Sequence, residues 1–204
     1  RSGQIVPQTE NRLLDLRRLI VHRKTVEALE ALRDKFGLES EVQSSGATIV
    51  NELIKLGVIL FEEKDLTSSL DVWQTLTGIS TESLTEKSSH QSLIRFNCAV
   101  TLAVLGKDWI QVNDEFNRAE AGCSEEFAVL LHHTFSNCAW NSGKNWGTAL
   151  KHKELAFELS SKIYGDSSEQ TSIIVRDLME LYRIAKKKDA LRVLQERFPN
   201  IFGS

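Results

Sequence analysis

Between Pro7 and Pro199 the chain contains no proline, so the residue that most strongly ends helices is confined to the two ends. Inside that span apolar residues recur three and four apart, as in Leu13, Leu16 and Ile20, or Leu93, Phe96, Val100 and Val104. That spacing places one apolar stripe on each helix. No segment has the strict alternation of a half-buried strand. The sequence therefore predicts an all-α chain.

Glycines and polar breaks divide the stripe into pieces. Thr9 can cap a helix that Gly37 stops, giving a capping helix over 9–37. Helix hairpins follow over 41–78, 90–122, 124–163 and 168–198, with turns at Glu63-Lys64-Asp65, Gly106, Lys144 to Gly147, and the Lys186 region. The count is nine helices, a cap and four hairpins, in a single domain over 1–204. Small residues, Ala149, Ala156 and Ala190, stand where two helices would have to cross closely.

The hairpins repeat one another. Leu56-Gly57 is followed by Leu60, Phe61 and Trp73; the next copy has Ala99, Ala103, Phe116 and Ala119. A third has Trp140, Ala149 and Ala156 with Lys153 where an aromatic is usual, and a fourth has Tyr182, Ala190 and Leu194. The tripeptide Asn97-Cys98-Ala99 returns as Asn137-Cys138-Ala139. These positions resemble the tetratricopeptide repeat, particularly the long-helix variety of the kinesin light chains. The interval here is roughly 40 residues against a standard period of about 34, and no copy carries the whole pattern. The resemblance implies an α-solenoid of antiparallel helix hairpins with an N-terminal cap.

The same resemblance implies a concave inner face lined by the first helix of each hairpin. Asn97 and Thr101, Asn137 and Asn141, and Arg176 and Glu180 are each spaced four apart on such helices and are the expected partner-binding residues. Asparagine both donates and accepts, so it can hold a peptide backbone without demanding a sequence. Inner-face asparagines contact peptides in the family that the chain resembles. The lysine-and-arginine clamp by which some members grip a C-terminal carboxylate is not recognisable. The expected role is a non-catalytic protein-interaction module that binds a partner peptide or helix. The alternative is a structural subunit whose helical faces are buried in a larger assembly without a groove; exposed Trp109 or Trp146 would favour it.

Charge and chemistry narrow the rest. With 25 Lys and Arg against 28 Asp and Glu, the net charge of −3 gives no general attraction to nucleic acid or anionic membrane. One local basic run, Arg183, Lys186, Lys187, Lys188 and Arg192, is a solvated terminal face or, as a second candidate site, a docking patch for an acidic partner. Gly106-Lys107 and Gly143-Lys144 lack the rest of a phosphate-binding loop, and no nucleophile elbow or dinucleotide fingerprint is present. His132 and His133 are adjacent, about 100° apart on a helix, whereas zinc helices space their histidines by four. No catalytic residue, metal or cofactor is expected. Three unpaired cysteines, no signal peptide and no run of eighteen apolar residues fit an intracellular, cytoplasmic or nuclear protein. Arg1-Ser2-Gly3 in place of an initiating Met is what an excised domain would carry.

Overall fold

Residues 42–78, 88–142 and 145–201 are described by the structure, a computed structural model. Among them are eight α-helices and no strand: α1 (Val42–Glu62), α2 (Leu66–Gly78), α3 (Ser88–Val104), α4 (Trp109–Glu120), α5 (Glu125–Asn141), α6 (Trp146–Tyr164), α7 (Glu169–Ile184) and α8 (Lys188–Arg197). A 3-10 turn, Pro199–Ile201, follows. The capping helix expected over 9–37 lies outside the described residues. The packing divides the chain into two compact units, Arg1–Thr101 and Leu102–Ser204, with the boundary inside α3.

In the first unit α1 packs on α2, and the Leu-Gly pair explains how closely. A Cβ added to Gly57 would stand 2.6 Å from the Trp73 ring, which no real side chain tolerates. Ser69 hydroxyl donates to the Gly57 carbonyl at 2.8 Å and accepts from Trp73 Nε1 at 3.0 Å. Two repeat-pattern residues thus meet through one serine. Leu53, Leu56, Leu60, Leu70, Val72 and Leu76 are buried with them. The turn between the helices places Lys64 in the left-handed region, φ 65°. Asp65 then accepts from Ser68 N–H at 3.2 Å and starts α2.

Side-chain caps set the helix starts in the second unit. Asp108 accepts from Ile110 N–H, Ser124 from Phe127 N–H, Asn145 from Thr148 N–H and Ser168 from Thr171 N–H. Asn145 alters the sequence reading: Trp146 and Gly147 were expected in a turn, but the cap brings both into α6. Contacts between α5 and α6 run antiparallel, from Ser136 with Ala149 to His132 with His152. Ala149 and Ala156 are fully buried, as expected of close crossings, and Ser136 hydroxyl reaches the Ala149 carbonyl at 2.7 Å.

Helix α6 also packs on α7, where Ser160 and Thr171 hydroxyls bond at 2.8 Å. Val129 of α5, Ala156 of α6 and Ile174 of α7 share one apolar cluster. A second cluster, with Leu150, Val175, Leu178, Met179, Leu181, Leu194 and Phe198, seats α8.

Candidate functional site

Helix α6 carries a buried stripe, Ala149, Lys153, Ala156 and Ser160, and one member of it is charged. Lys153 is 1% exposed at the position where the repeat pattern leads one to expect an aromatic ring. Burying an ammonium in a helix interface is costly unless every N–H is met. Here all three are. Lys153 Nζ donates to Asn137 Oδ1 at 2.8 Å, Asp177 Oδ2 at 2.9 Å and His133 Nδ1 at 3.1 Å. The acceptors come from α5 and α7, so one side chain of α6 ties three helices together. Burial pushes the Lys153 pKa down, and the Asp177 carboxylate pulls it back.

Those bonds orient what lies above them. Asn137 must turn its carbonyl oxygen inward to the ammonium, which leaves its amide group on the outer side. Asp177 spends Oδ2 on Lys153 and keeps a second oxygen on a side chain 44% exposed. His133 accepts at Nδ1, so its ring proton sits on Nε2, 3.9 Å from the Asp177 carboxylate. The His133 pKa is lowered by burial first and by Lys153 second, with Asp177 opposing. Asn137 Nδ2 lies 3.4 Å from His133 Nε2, a meeting of two donors and hence no real bond in this tautomer.

Residues of α5 and α7 surround this cluster. His133 faces Asp177 and Val129 clusters with Ile174, so the two helices run in the same direction past it. Glu126, Leu130, His133, Asn137 and Asn141 recur at helical spacing along α5, and Glu169, Ile173, Arg176, Glu180 and Ile184 along α7. Each of these residues is exposed or half-buried. Leu130 and Ile173 are 49% and 46% exposed.

The anticipated site residues therefore separate. Asn137 and Asn141 lie on α5, and Arg176 and Glu180 on α7, all in the second unit. Asn141, Arg176 and Glu180 are exposed, and Glu180 accepts from Arg183 at 3.0 Å. In the first unit Asn97 is half-buried and donates to the Leu93 carbonyl of its own helix at 2.9 Å. Thr101 is fully buried and donates to the Asn97 carbonyl at 2.8 Å. Its hydroxyl is consumed within α3, because threonine readily bonds the carbonyl four residues back. Sequence reasoning missed His133 and Asp177 and recorded Lys153 only as an exception to the pattern.

The basic run surrounds the α7–α8 turn, where Lys186 adopts φ 56°. Arg183, Lys186, Lys187, Lys188 and Arg192 are all exposed. Lys187 lies 3.5 Å from Glu154, and Glu154 accepts from Tyr182 at 3.0 Å. Arg197 turns away to Asp166 at 2.7 Å. Trp146 is 49% exposed, edge-on to Trp140 with centroids 4.5 Å apart. Trp109 is half-buried, stacked on Phe135, and its Nε1 has no hydrogen-bond partner.

A second polar cluster joins α4, α5 and α6. His132 Nε2 is 3.3 Å from Glu120 Oε1, and His132 Nδ1 is 2.9 Å from His152 Nδ1. Donation to Glu120 puts the His132 proton on Nε2, so His152 donates across the pair. Burial, then His132, then Lys151 press the His152 pKa down to about 4. His132 is lowered chiefly by burial, against the pull of Glu120. Among the described residues no group of three or more His, Cys, Asp or Glu is placed to hold a metal. No helix among them is long and apolar enough to cross a membrane.

Among solved structures, two of a Podosopora anserina protein assigned as a kinesin light chain, with nearly identical TPR-like repeats, superpose on the chain with a TM-score of 0.62. One of the two is a point variant. Each covers 94% of this chain and 93% of its own at 11% identity. The fold is that of a tetratricopeptide-like α-solenoid. No family model matches the sequence, and no curated protein does. At that identity the likeness carries the architecture of stacked helix hairpins, and the repeat residues quoted from the sequence find their places in it. Gly57 against Trp73 is a close helix approach of one hairpin, and Ala149 and Ala156 are crossing residues of another.

Proposed function

We propose that the protein is a non-catalytic interaction module that holds a segment of a partner protein along the α5–α7 face. The single observation behind this reading is the Lys153 cluster. A buried ammonium fixes Asn137 and Asp177 so that an amide donor and a carboxylate acceptor face outward beside each other. An unpaired peptide backbone offers the complementary acceptor and donor, whereas a helix has already satisfied its own. Asn141, Arg176 and Glu180 extend the polar part of the face. The partner is a protein rather than nucleic acid, and the compartment is intracellular.

The test begins with affinity capture by the whole chain and identification of the captured protein. Titration of that protein against an Asn137→Ala/Asn141→Ala variant should show a loss of about 1–3 kcal/mol, one to two orders of magnitude. Lys186→Glu/Lys187→Glu/Lys188→Glu should bind as the parent does. The reverse pattern moves the site to the basic turn. A second reading, a subunit buried in an assembly, is favoured by the exposed Trp146 against Trp140. Under that reading Trp146→Ala, and neither of the other variants, abolishes capture.

A further inference from the structure

One acceptor in the Lys153 cluster depends on a proton. The buried Lys153 ammonium has three acceptors, and His133 Nδ1, at 3.1 Å, is one of them. Nδ1 accepts only while it carries no hydrogen. A proton added to His133 fills that position and sets an imidazolium N–H against an ammonium N–H inside a helix interface. There the two like charges are poorly screened by solvent. His133 has somewhere to go, because its side chain is 22% exposed and the Asp177 carboxylate lies 3.9 Å from its Nε2. The charged groups that act on the ring are Lys153 from α6 and Asp177 from α7, while its own helix supplies only the neutral Asn137 one turn on. Burial and Lys153 oppose the added proton, and Asp177 favours it.

Resting on the reading above, we propose that His133 is a proton-operated catch on the α5–α7 site, closed when its ring is neutral and open when it is protonated. In the closed state Lys153 holds Asn137 with its carbonyl inward and Asp177 with one oxygen outward. In the open state the imidazolium leaves the ammonium and takes the half-exposed Asp177 carboxylate as its counter-ion. The acceptor offered to a partner backbone is then occupied from within the protein. Asp177 is also drawn off the bond that steadies Lys153, and through it Asn137. A partner that needs the outward amide and carboxylate therefore binds the neutral form alone. By linkage its binding expels the His133 proton, so affinity falls as pH drops through the His133 midpoint, by up to about tenfold per pH unit below it. Lys153 is what makes the proton matter. A histidine beside a carboxylate, with no ammonium on its other nitrogen, would charge without disturbing its neighbour.

The test begins with the whole chain alone and the proton as its ligand. NMR from pH 7.5 to about pH 5 follows the His133 ring signals and the Asn137 side-chain amide signals together. The amide should move with the midpoint of the ring. That movement should vanish in His133→Asn, whose Oδ1 takes the place of Nδ1 as acceptor and does not titrate. The captured protein is then titrated against both chains at the same pH values. The parent should lose affinity below the His133 midpoint, and His133→Asn should lose roughly threefold less at the acid end. Circular dichroism of both chains is expected to stay constant over this range. Asn137 signals that stay still while the ring titrates, or an equal loss of affinity in the two chains, would overturn the catch and leave the interaction reading intact. A captured protein that binds Asn137→Ala/Asn141→Ala as tightly as the parent at neutral pH would overturn both.

Discussion

Removing one half of the Lys153–Asp177 pair is not equivalent to removing the other. Asp177→Ala leaves an ammonium in a helix interface with only two neutral acceptors, and loss of one partner of a buried pair costs about 3 kcal/mol. Lys153→Met replaces the charge by an apolar chain of similar length. It returns Asn137, His133 and Asp177 to a face where all three reach water. The expected result is a denaturation midpoint much lower for Asp177→Ala and little changed for Lys153→Met. Equal losses in the two variants would mean that the ammonium is not the group that needs the pair. Lys153→Met should nevertheless weaken partner binding, because nothing then holds the Asn137 amide in one orientation.

At the scale of elements, two close approaches define the hairpins. Gly57→Ala drives a methyl group into the Trp73 ring, and Ala156→Leu overfills the cluster of Val129 and Ile174. Each should cost about 1–3 kcal/mol in urea denaturation, and an unchanged midpoint in either would show that the crossing is looser than described. The Ala156 crossing was legible from sequence because it rests on one small residue and one helical period, whereas Gly57 and Trp73 were read only as pattern positions. Helix positions were equally readable: apolar stripes, capping residues and left-handed stops act within a few residues. The start of α6 was not, because Trp146-Gly147 reads as a turn until Asn145 is seen to cap it. Nor was the Lys153 cluster. Lys153 lies 16 to 24 residues from its three partners, and each residue is ordinary alone. The available clue was a lysine amid Ala149, Ala156 and Ser160 on a stripe that should be apolar. Thr101 went astray for the opposite reason: four-residue spacing placed it on a face but could not tell that its hydroxyl bonds its own helix.

For the molecule as a whole, acid is the condition to which the histidines respond. His132, His133 and His152 all have pKa values below the ordinary 6.5, with His152 near 4, mainly because burial disfavours the cation. The folded chain therefore binds fewer protons than the unfolded chain in that interval, and stability falls as pH drops from about 6.5 toward 4. Above about pH 7.5 the same groups are neutral in both states and contribute no slope. Urea midpoints at pH 7.5, 6 and 5 should decline in that order; a midpoint that stays level or rises at pH 5 would contradict the buried neutral pair. Of all measurements, the most direct for the interaction reading is NMR of the whole chain with and without its captured partner, following the side-chain amide signals of Asn137 and Asn141. Both should shift on saturation while resonances around Lys186, Lys187 and Lys188 stay in place. Unmoved asparagine signals alongside a shifted lysine turn would contradict the account.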